Sequence, residues 1–257
     1  MGVKVATRKS ESQKIELRDA LGACLEGKPR AVAQAVAIRA ALRVFPLVGG
    51  GAAAKLDTPL RIRLLLKASR CTLVSSVATV GNATEHNRRG YAFDDNDDSA
   101  AAFVVARPHF DAAFSALAVA MAFADGNDSA VAAFYAVSAV AAAAAADPDS
   151  IWTAVEADCQ LLDAGKSADE VMRLPIWHGA PPDWARAAWR DVTESQELLD
   201  AGFTPWLRWY EAAAAFDAPS AQDYFGPELS RKIALQPNEW WERGAEAVNT
   251  DIAEWLV

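Results

Sequence analysis

Apolar residues recur along this chain at helical spacing, and no convincing stretch alternates apolar and polar residues as strands do. Alanine, the strongest intrinsic helix former, supplies 57 of the 257 residues. Signals that begin and end helices recur at helical intervals: Gly27 follows one helix, Thr58 and Pro59 begin another, and Ser167 with Glu170 forms a capping box. The sequence therefore predicts an all-α fold, a multi-helix bundle of about ten helices.

Two changes in composition divide the chain. Residues 1–90 contain 16 basic and 6 acidic residues, whereas residues 91–257 contain 9 and 28. All nine tryptophans lie at or after position 152. We place the boundary by tryptophan content, which predicts an Ala-rich, N-terminally basic part over 1–147 and an acidic, Trp-rich part over 148–257. A boundary near residue 95, suggested by charge, stays open, as does the packing of both parts as one domain.

The charge asymmetry has three interpretations. A basic arm can bind an acidic partner, two oppositely charged parts can attract each other within or between chains, or two solvated surfaces can simply differ. Basic side chains on one helix could neutralise nucleic-acid phosphates. The overall net charge of −9 would repel a polyanion, however, so the sequence argues against a nucleic-acid partner.

Aromatic side chains in the second part are candidates either for the core or for a protein-binding patch, because Trp and Tyr are frequent in both. The adjacent Trp240 and Trp241 point about 100° apart on a helix. Burying both in one core is therefore harder, and we expect one of them at an interface. The candidate interaction residues, basic and aromatic together, are Arg61, Arg63, Lys67, Arg70, Trp206, Trp209, Tyr210, Trp240 and Trp241.

Motifs for catalysis, metal binding or cofactor binding are not found. The three histidines and three cysteines lack ligand spacing, and no phosphate-binding glycine loop or nucleophile motif is present. Paired acids such as Glu156 and Asp158 are expected at exposed helix positions. The sequence thus predicts no catalytic, metal or cofactor residue and no cofactor. An enzyme whose site gathers scattered polar residues around His86, Arg107 and His109 remains an alternative.

The N-terminal sequence, the cysteines and one Ala-rich segment bear on compartment and membrane association. Residues 1–14 are basic and polar, without the apolar segment of a signal peptide, and the separated Cys24, Cys71 and Cys159 are typical of small buried residues in a reducing compartment. We expect a cytoplasmic protein. An Ala-rich helical hairpin over 112–146 offers a membrane-active alternative, but its alanines gain little from lipid, so burial in a bundle is favoured.

Four aromatic segments carry a resemblance: Ile151-Trp152, Leu174 to Trp177, Trp206 to Glu211, and Trp240 to Ile252. Their order is similar to an Ala- and Trp-rich helical region of uncharacterised alphaproteobacterial proteins, often adjacent to varied signalling or defence-type domains. The chain departs from that pattern at residues 212–215, which are all alanine. The resemblance implies an adaptor or assembly role rather than a reaction.

From the residues and the resemblance together, we expect a non-enzymatic protein-interaction or oligomerisation module, in the setting of a bacterial stress or defence system. Its partner would be another protein or a second copy of the chain. Docking of helix faces, helped by charge complementarity, would be the mechanism.

Overall fold

The computed structural model describes residues 11–50, 56–80, seven residues between 136 and 144, 147–214 and 224–257. These residues form twelve helices and no strand, which confirms the all-α prediction. The helices are α1 (Glu11–Leu25), α2 (Arg30–Val44), α3 (Pro46–Gly49), α4 (Thr58–Val80), α5 (Pro148–Asp163), α6 (Ala168–Met172), α7 (Asp183–Thr193), α8 (Gln196–Asp200), α9 (Thr204–Ala214), α10 (Gly226–Ala234), α11 (Asn238–Trp241) and α12 (Ala245–Trp255).

Local sequence signals set several of these boundaries. Gly27 follows α1 with a φ of 69°, a conformation that side chains other than glycine rarely adopt. The capping box before α6 is present as predicted: the Glu170 amide donates to the Ser167 hydroxyl, and the Ser167 amide donates to the Glu170 carboxylate over 2.8 Å. Asp147 caps α5 by accepting from the Ser150 amide.

Helix α2 lies at the centre of the described structure. Every residue from Val32 to Val44 is buried, and the helix packs against α4, α5, α6 and α9. Such all-round burial explains why α2 is apolar on all sides apart from a few residues discussed below. The stretch Arg30–Gly49 is long and apolar enough to cross a membrane, and an apolar window of 18 residues within it is 89% buried inside the protein, as a core helix would be.

The compositional parts on either side of residue 147 contribute to one hydrophobic cluster. The ring of Phe45, after α2, stacks on Tyr210 of α9 with centroids 4.9 Å apart. The Tyr210 hydroxyl also donates a hydrogen bond to the Leu42 carbonyl over 2.9 Å. Gly50 lies directly against the Ala188 carbonyl of α7. Helices before and after the predicted boundary therefore share core contacts.

Several predicted features lie outside the described residues. His86, Arg107 and His109 are among them, as is most of the hairpin over 112–146. The described residues near its end include Ala136 and Val140, which are fully buried.

Candidate functional site

The four basic candidates on α4 occupy different environments. Arg61 is buried: its Nε donates to the Gly49 carbonyl over 2.6 Å, and its Nη1 lies 3.3 Å from Glu197. Burial lowers the pKa of Arg61, and the charge of Glu197 offsets part of this lowering. Arg63 and Lys67 are exposed one helical turn apart. Of the four basic candidates on α4, these two are the exposed ones.

Arg70, the fourth basic candidate, is partly buried against the C-terminal helices. Its guanidinium lies 5.0 Å from the centroid of the Trp241 ring, and its Nη2 donates to the Asn238 side-chain oxygen. A guanidinium over a tryptophan face is attracted to the ring electrons. Arg70 thus joins α4 to α11 within the chain.

The five aromatic candidates are all buried: Trp206, Trp209, Tyr210, Trp240 and Trp241. Of these, Trp206 is 1% exposed, and its ring contacts those of Trp209 and Trp241. Its indole N–H donates to Asn249 over 2.8 Å, and the Asn249 amide in turn donates to a backbone carbonyl. Within the chain, these five aromatic residues therefore belong to the hydrophobic core.

Trp240 and Trp241 are both buried within the chain, whereas the sequence predicted an interface position for one of them. Trp240 stacks on Trp255 with centroids 5.5 Å apart and donates its indole N–H to Asp251. The ring of Trp241 packs against the ring of Trp206. Because α11 ends at Trp241 and Gly244 redirects the chain with a φ of 89°, α12 folds back to cover the ring of Trp240.

Two arginines of α2 and one aspartate of α5 form a buried ionic network. Arg39 Nε and Arg43 Nη2 donate to the two carboxylate oxygens of Asp158 over 3.0 and 2.7 Å. All three side chains have zero exposure. Because desolvating such charges is costly, they persist only when closely paired and hydrogen-bonded. The expectation that Asp158 would be exposed is therefore wrong, whereas Glu156 is exposed as expected.

The same arginines bind the segment that follows α6. Arg39 donates to the carbonyls of Val171, Leu174 and Pro175 over 2.7 to 2.8 Å, and Arg43 Nε donates to the Ile176 carbonyl over 2.8 Å. The Val171 carbonyl belongs to α6 and also accepts from the Leu174 amide. The other three carbonyls, of Leu174, Pro175 and Ile176, lie beyond the end of α6, so the guanidiniums supply donors that no helix provides there. The network consequently fixes an irregular loop as well as two helices.

His178 is the only member of this network that reaches solvent among the described residues. Its side chain is 27% exposed, and its Nε2 lies 2.7 Å from an Asp158 oxygen. Burial alone would raise the Asp158 pKa, but Arg43, the hydrogen bond from His178 and Arg39 together hold it below its usual value. Burial lowers the Arg39 pKa to about 10 against the opposing charge of Asp158.

This geometry suits a structural clamp. Both oxygens of Asp158 accept hydrogen bonds from buried donors, and no part of the carboxylate is exposed. Within the described residues, no group of three His, Cys, Asp or Glu side chains could hold a metal ion. Sequence reasoning missed the clamp, although two arginines four residues apart in the mainly apolar second half of α2 were a visible signal.

Exposed acidic side chains gather on the C-terminal helices. Glu242 in the turn before α12, and Glu246 and Glu254 on that helix, are all exposed. Glu246 and Glu254 are eight residues apart on α12 and so point within about 80° of each other around the helix. Glu242 precedes the turn at Gly244 and is close to them along the chain, not by helical spacing. The chain thus exposes an acidic face here and the basic pair Arg63 and Lys67 on α4.

Comparison with known proteins finds no matching family model and no similar curated protein or solved structure. The resemblance to the alphaproteobacterial helical region therefore stays a prediction.

Proposed function

We propose that this protein is a non-enzymatic interaction module that self-associates head to tail. The basic face of one copy, defined as Arg63 and Lys67 on α4, docks on the acidic face of a second copy, defined as Glu242, Glu246 and Glu254. A place in a bacterial stress or defence system is part of the proposal, and it is supported by the resemblance alone.

One observation carries this proposal: exposed charges of opposite sign lie on different helices of the same chain. A head-to-tail contact between two different faces of identical chains is heterologous, so it leaves a free face at each end unless a ring closes. Because Arg61 and the aromatic candidates are buried, the proposal uses only the exposed members of the candidate set.

Magnitudes predict a weak contact. An exposed ion pair contributes about 0.2–1 kcal/mol and is screened by salt. The net charge of −9 also repels copies of the chain from one another. We therefore expect association at high protein concentration that weakens as salt is added.

Sedimentation velocity with light scattering tests the proposal on the full chain. Between about 0.01 M and 1 M salt the screening length falls from about 30 to 3 Å, so the mean mass should fall toward that of the monomer. A strict monomer at every salt and protein concentration would contradict the proposal.

Charge reversal separates local attraction from overall repulsion. The double variant Arg63→Glu with Lys67→Glu should abolish association. The matched control, Arg186→Glu with Arg190→Glu, changes two exposed arginines at the same spacing on α7 and alters net charge equally. At the same net charge, the control should therefore still self-associate, whereas the Arg63 and Lys67 variant should not.

A mixing experiment then tests the pairing of the faces. A second variant replaces the three glutamates of the acidic face by lysine. Neither reversed variant should associate alone, whereas an equimolar mixture should form heterodimers, because each reversed face meets a complementary one. Failure of the mixture to associate, with both variants folded, would refute the assignment of these faces.

A further inference from the structure

Two buried side chains beside the ionic network carry N–H donors with no acceptor. Within the described part of the chain, Arg43 Nη1 and the indole nitrogen of Trp177 have no hydrogen-bond partner, and both side chains are buried. The guanidinium carbon of Arg43 lies 5.8 Å from the centroid of the Trp177 ring. The backbone holds the two together, because Arg43 Nε donates to the carbonyl of Ile176, the residue before Trp177. Buried donors of this kind are costly unless a group accepts from them.

The same network holds more positive than negative charge. Arg39 and Arg43 share the single carboxylate of Asp158, and all three side chains have zero exposure. Arginine side chains stay protonated in proteins, and burial lowers the Arg39 pKa only to about 10. Among the described residues, Asp158 is the only buried acidic side chain. One positive charge of the network is therefore left without a buried counter-charge, which is costly.

We propose that Arg43 and Trp177 bind a small monovalent anion such as chloride. The anion accepts hydrogen bonds from Arg43 Nη1 and Trp177 Nε1 and supplies the missing negative charge. A water molecule suits these groups less well, because it is neutral and its own hydrogens need acceptors, whereas guanidinium and indole nitrogens offer donors only. This inference does not depend on the proposed self-association.

The proposed site adjoins an exposed loop. Residues 178–180, which directly follow Trp177, are all exposed. An ion that exchanges with solvent enters beside this loop. Once bound, it adds a contact between α2 and the segment after α6, which Arg39 and Arg43 already hold by its carbonyls.

Two other unpartnered buried donors lack this combination of features. Arg61 Nη2 is unpartnered, but Arg61 has a carboxylate of its own, since Glu197 lies 3.3 Å from its Nη1. The indole N–H of Trp241 is also unpartnered, but the guanidinium over its ring belongs to Arg70, which is only partly buried. Trp241 therefore provides a matched control for Trp177.

Nitrogen-15 NMR of the indole groups in the full wild-type chain tests the proposal. Sodium chloride replaces sodium gluconate at constant ionic strength, so that screening, and with it any self-association, stays unchanged. The indole signal of Trp177, assigned through the backbone, should shift and saturate along a one-site curve. The signals of Trp184, Trp206 and Trp240 should stay in place, because these N–H groups already donate to protein side chains.

Urea unfolding in the same chloride series gives a second measurement. An anion that binds only the folded chain lowers the unfolding equilibrium constant by about 100-fold when its concentration is 100 times the Kd. The Kd from this series should agree with the Kd from NMR. Trp177→Phe should lose most of the chloride effect, whereas Trp241→Phe should keep it.

Three results would overturn the proposal. The first is an indole spectrum of the wild-type chain that does not respond to chloride. The second is a set of shifts in several indole signals that never saturate, which would indicate an adventitious ion only. The third is equal stabilisation by chloride in wild type and Trp177→Phe. Because the NMR titration uses the wild-type chain, a variant that fails to fold leaves the test intact.

Discussion

Replacing Asp158 by asparagine removes the only carboxylate of the buried network and leaves Arg39 and Arg43 facing each other with zero exposure. Asparagine has nearly the same size, so the change acts through charge and hydrogen bonding. The NH₂ group of asparagine would also face an arginine N–H donor at a position where a carboxylate oxygen of Asp158 accepts a hydrogen bond. Removing one partner of a buried ion pair costs about 3–5 kcal/mol. For a chain of this length the thermal midpoint should fall by about 6–20 °C.

Urea unfolding monitored by circular dichroism measures this loss as a lower midpoint concentration with an unchanged slope. Glu211→Gln is the matched control, because it breaks the exposed ion pair with Arg208 and should cost no more than about 0.5 kcal/mol. A loss below about 1 kcal/mol in Asp158→Asn would refute the claim that the network stabilises the fold.

The pH dependence of the same difference follows from the lowered Asp158 pKa. A carboxylate with a lowered folded-state pKa contributes stability above its unfolded value, here 3.8, and loses it as the pH falls through the folded value. The difference between wild type and Asp158→Asn should therefore be constant from neutral pH to about pH 5 and narrow only below pH 3.8. A difference that already narrows between pH 7 and pH 5 would contradict this assignment.

Three further substitutions, the first with a control, test the packing. Gly50→Ala drives a methyl group into a backbone carbonyl of α7 and should lower the free energy of unfolding in urea by more than about 2 kcal/mol. The control Gly22→Ala has open space in α1 and should raise it by about 0.5–1 kcal/mol, and equal effects of the two substitutions would refute the close approach at Gly50. Asn249→Leu leaves the Trp206 indole N–H and a backbone carbonyl unpaired and should cost about 2–4 kcal/mol, with a changed tryptophan emission spectrum. Tyr210→Phe removes the hydrogen bond to a carbonyl of α2 and should cost about 1 kcal/mol by thermal unfolding, and an unchanged midpoint would contradict that bond.

Local signals made the helices predictable. The capping box at Ser167 and Glu170 and the glycine after α1 act within a few residues of the chain, so their effect can be seen in the sequence. The apolar periodicity likewise separated helix from strand. Packing of the helices was not accessible in the same way, because it depends on contacts between residues more than 100 positions apart.

The candidate site illustrates that limit. Asp158 was expected to be solvated because acidic residues are rarely buried without a partner, and its partners lie 115 and 119 residues away. Arg61 and Arg70 belong to a basic helix, yet long-range contacts with Glu197 and Trp241 withdraw them from the surface. Only Arg63 and Lys67 keep the exposure that the charge pattern suggested.

The parts before and after residue 147 share one hydrophobic core, which a urea titration followed by two signals can test. Tryptophan fluorescence reports only on the chain from Trp152 onward, whereas far-ultraviolet circular dichroism reports on helices throughout. A shared core predicts coincident transitions with a single midpoint. A dichroism transition that begins or ends well apart from the fluorescence transition would show that the Ala-rich part unfolds on its own, and would contradict the account.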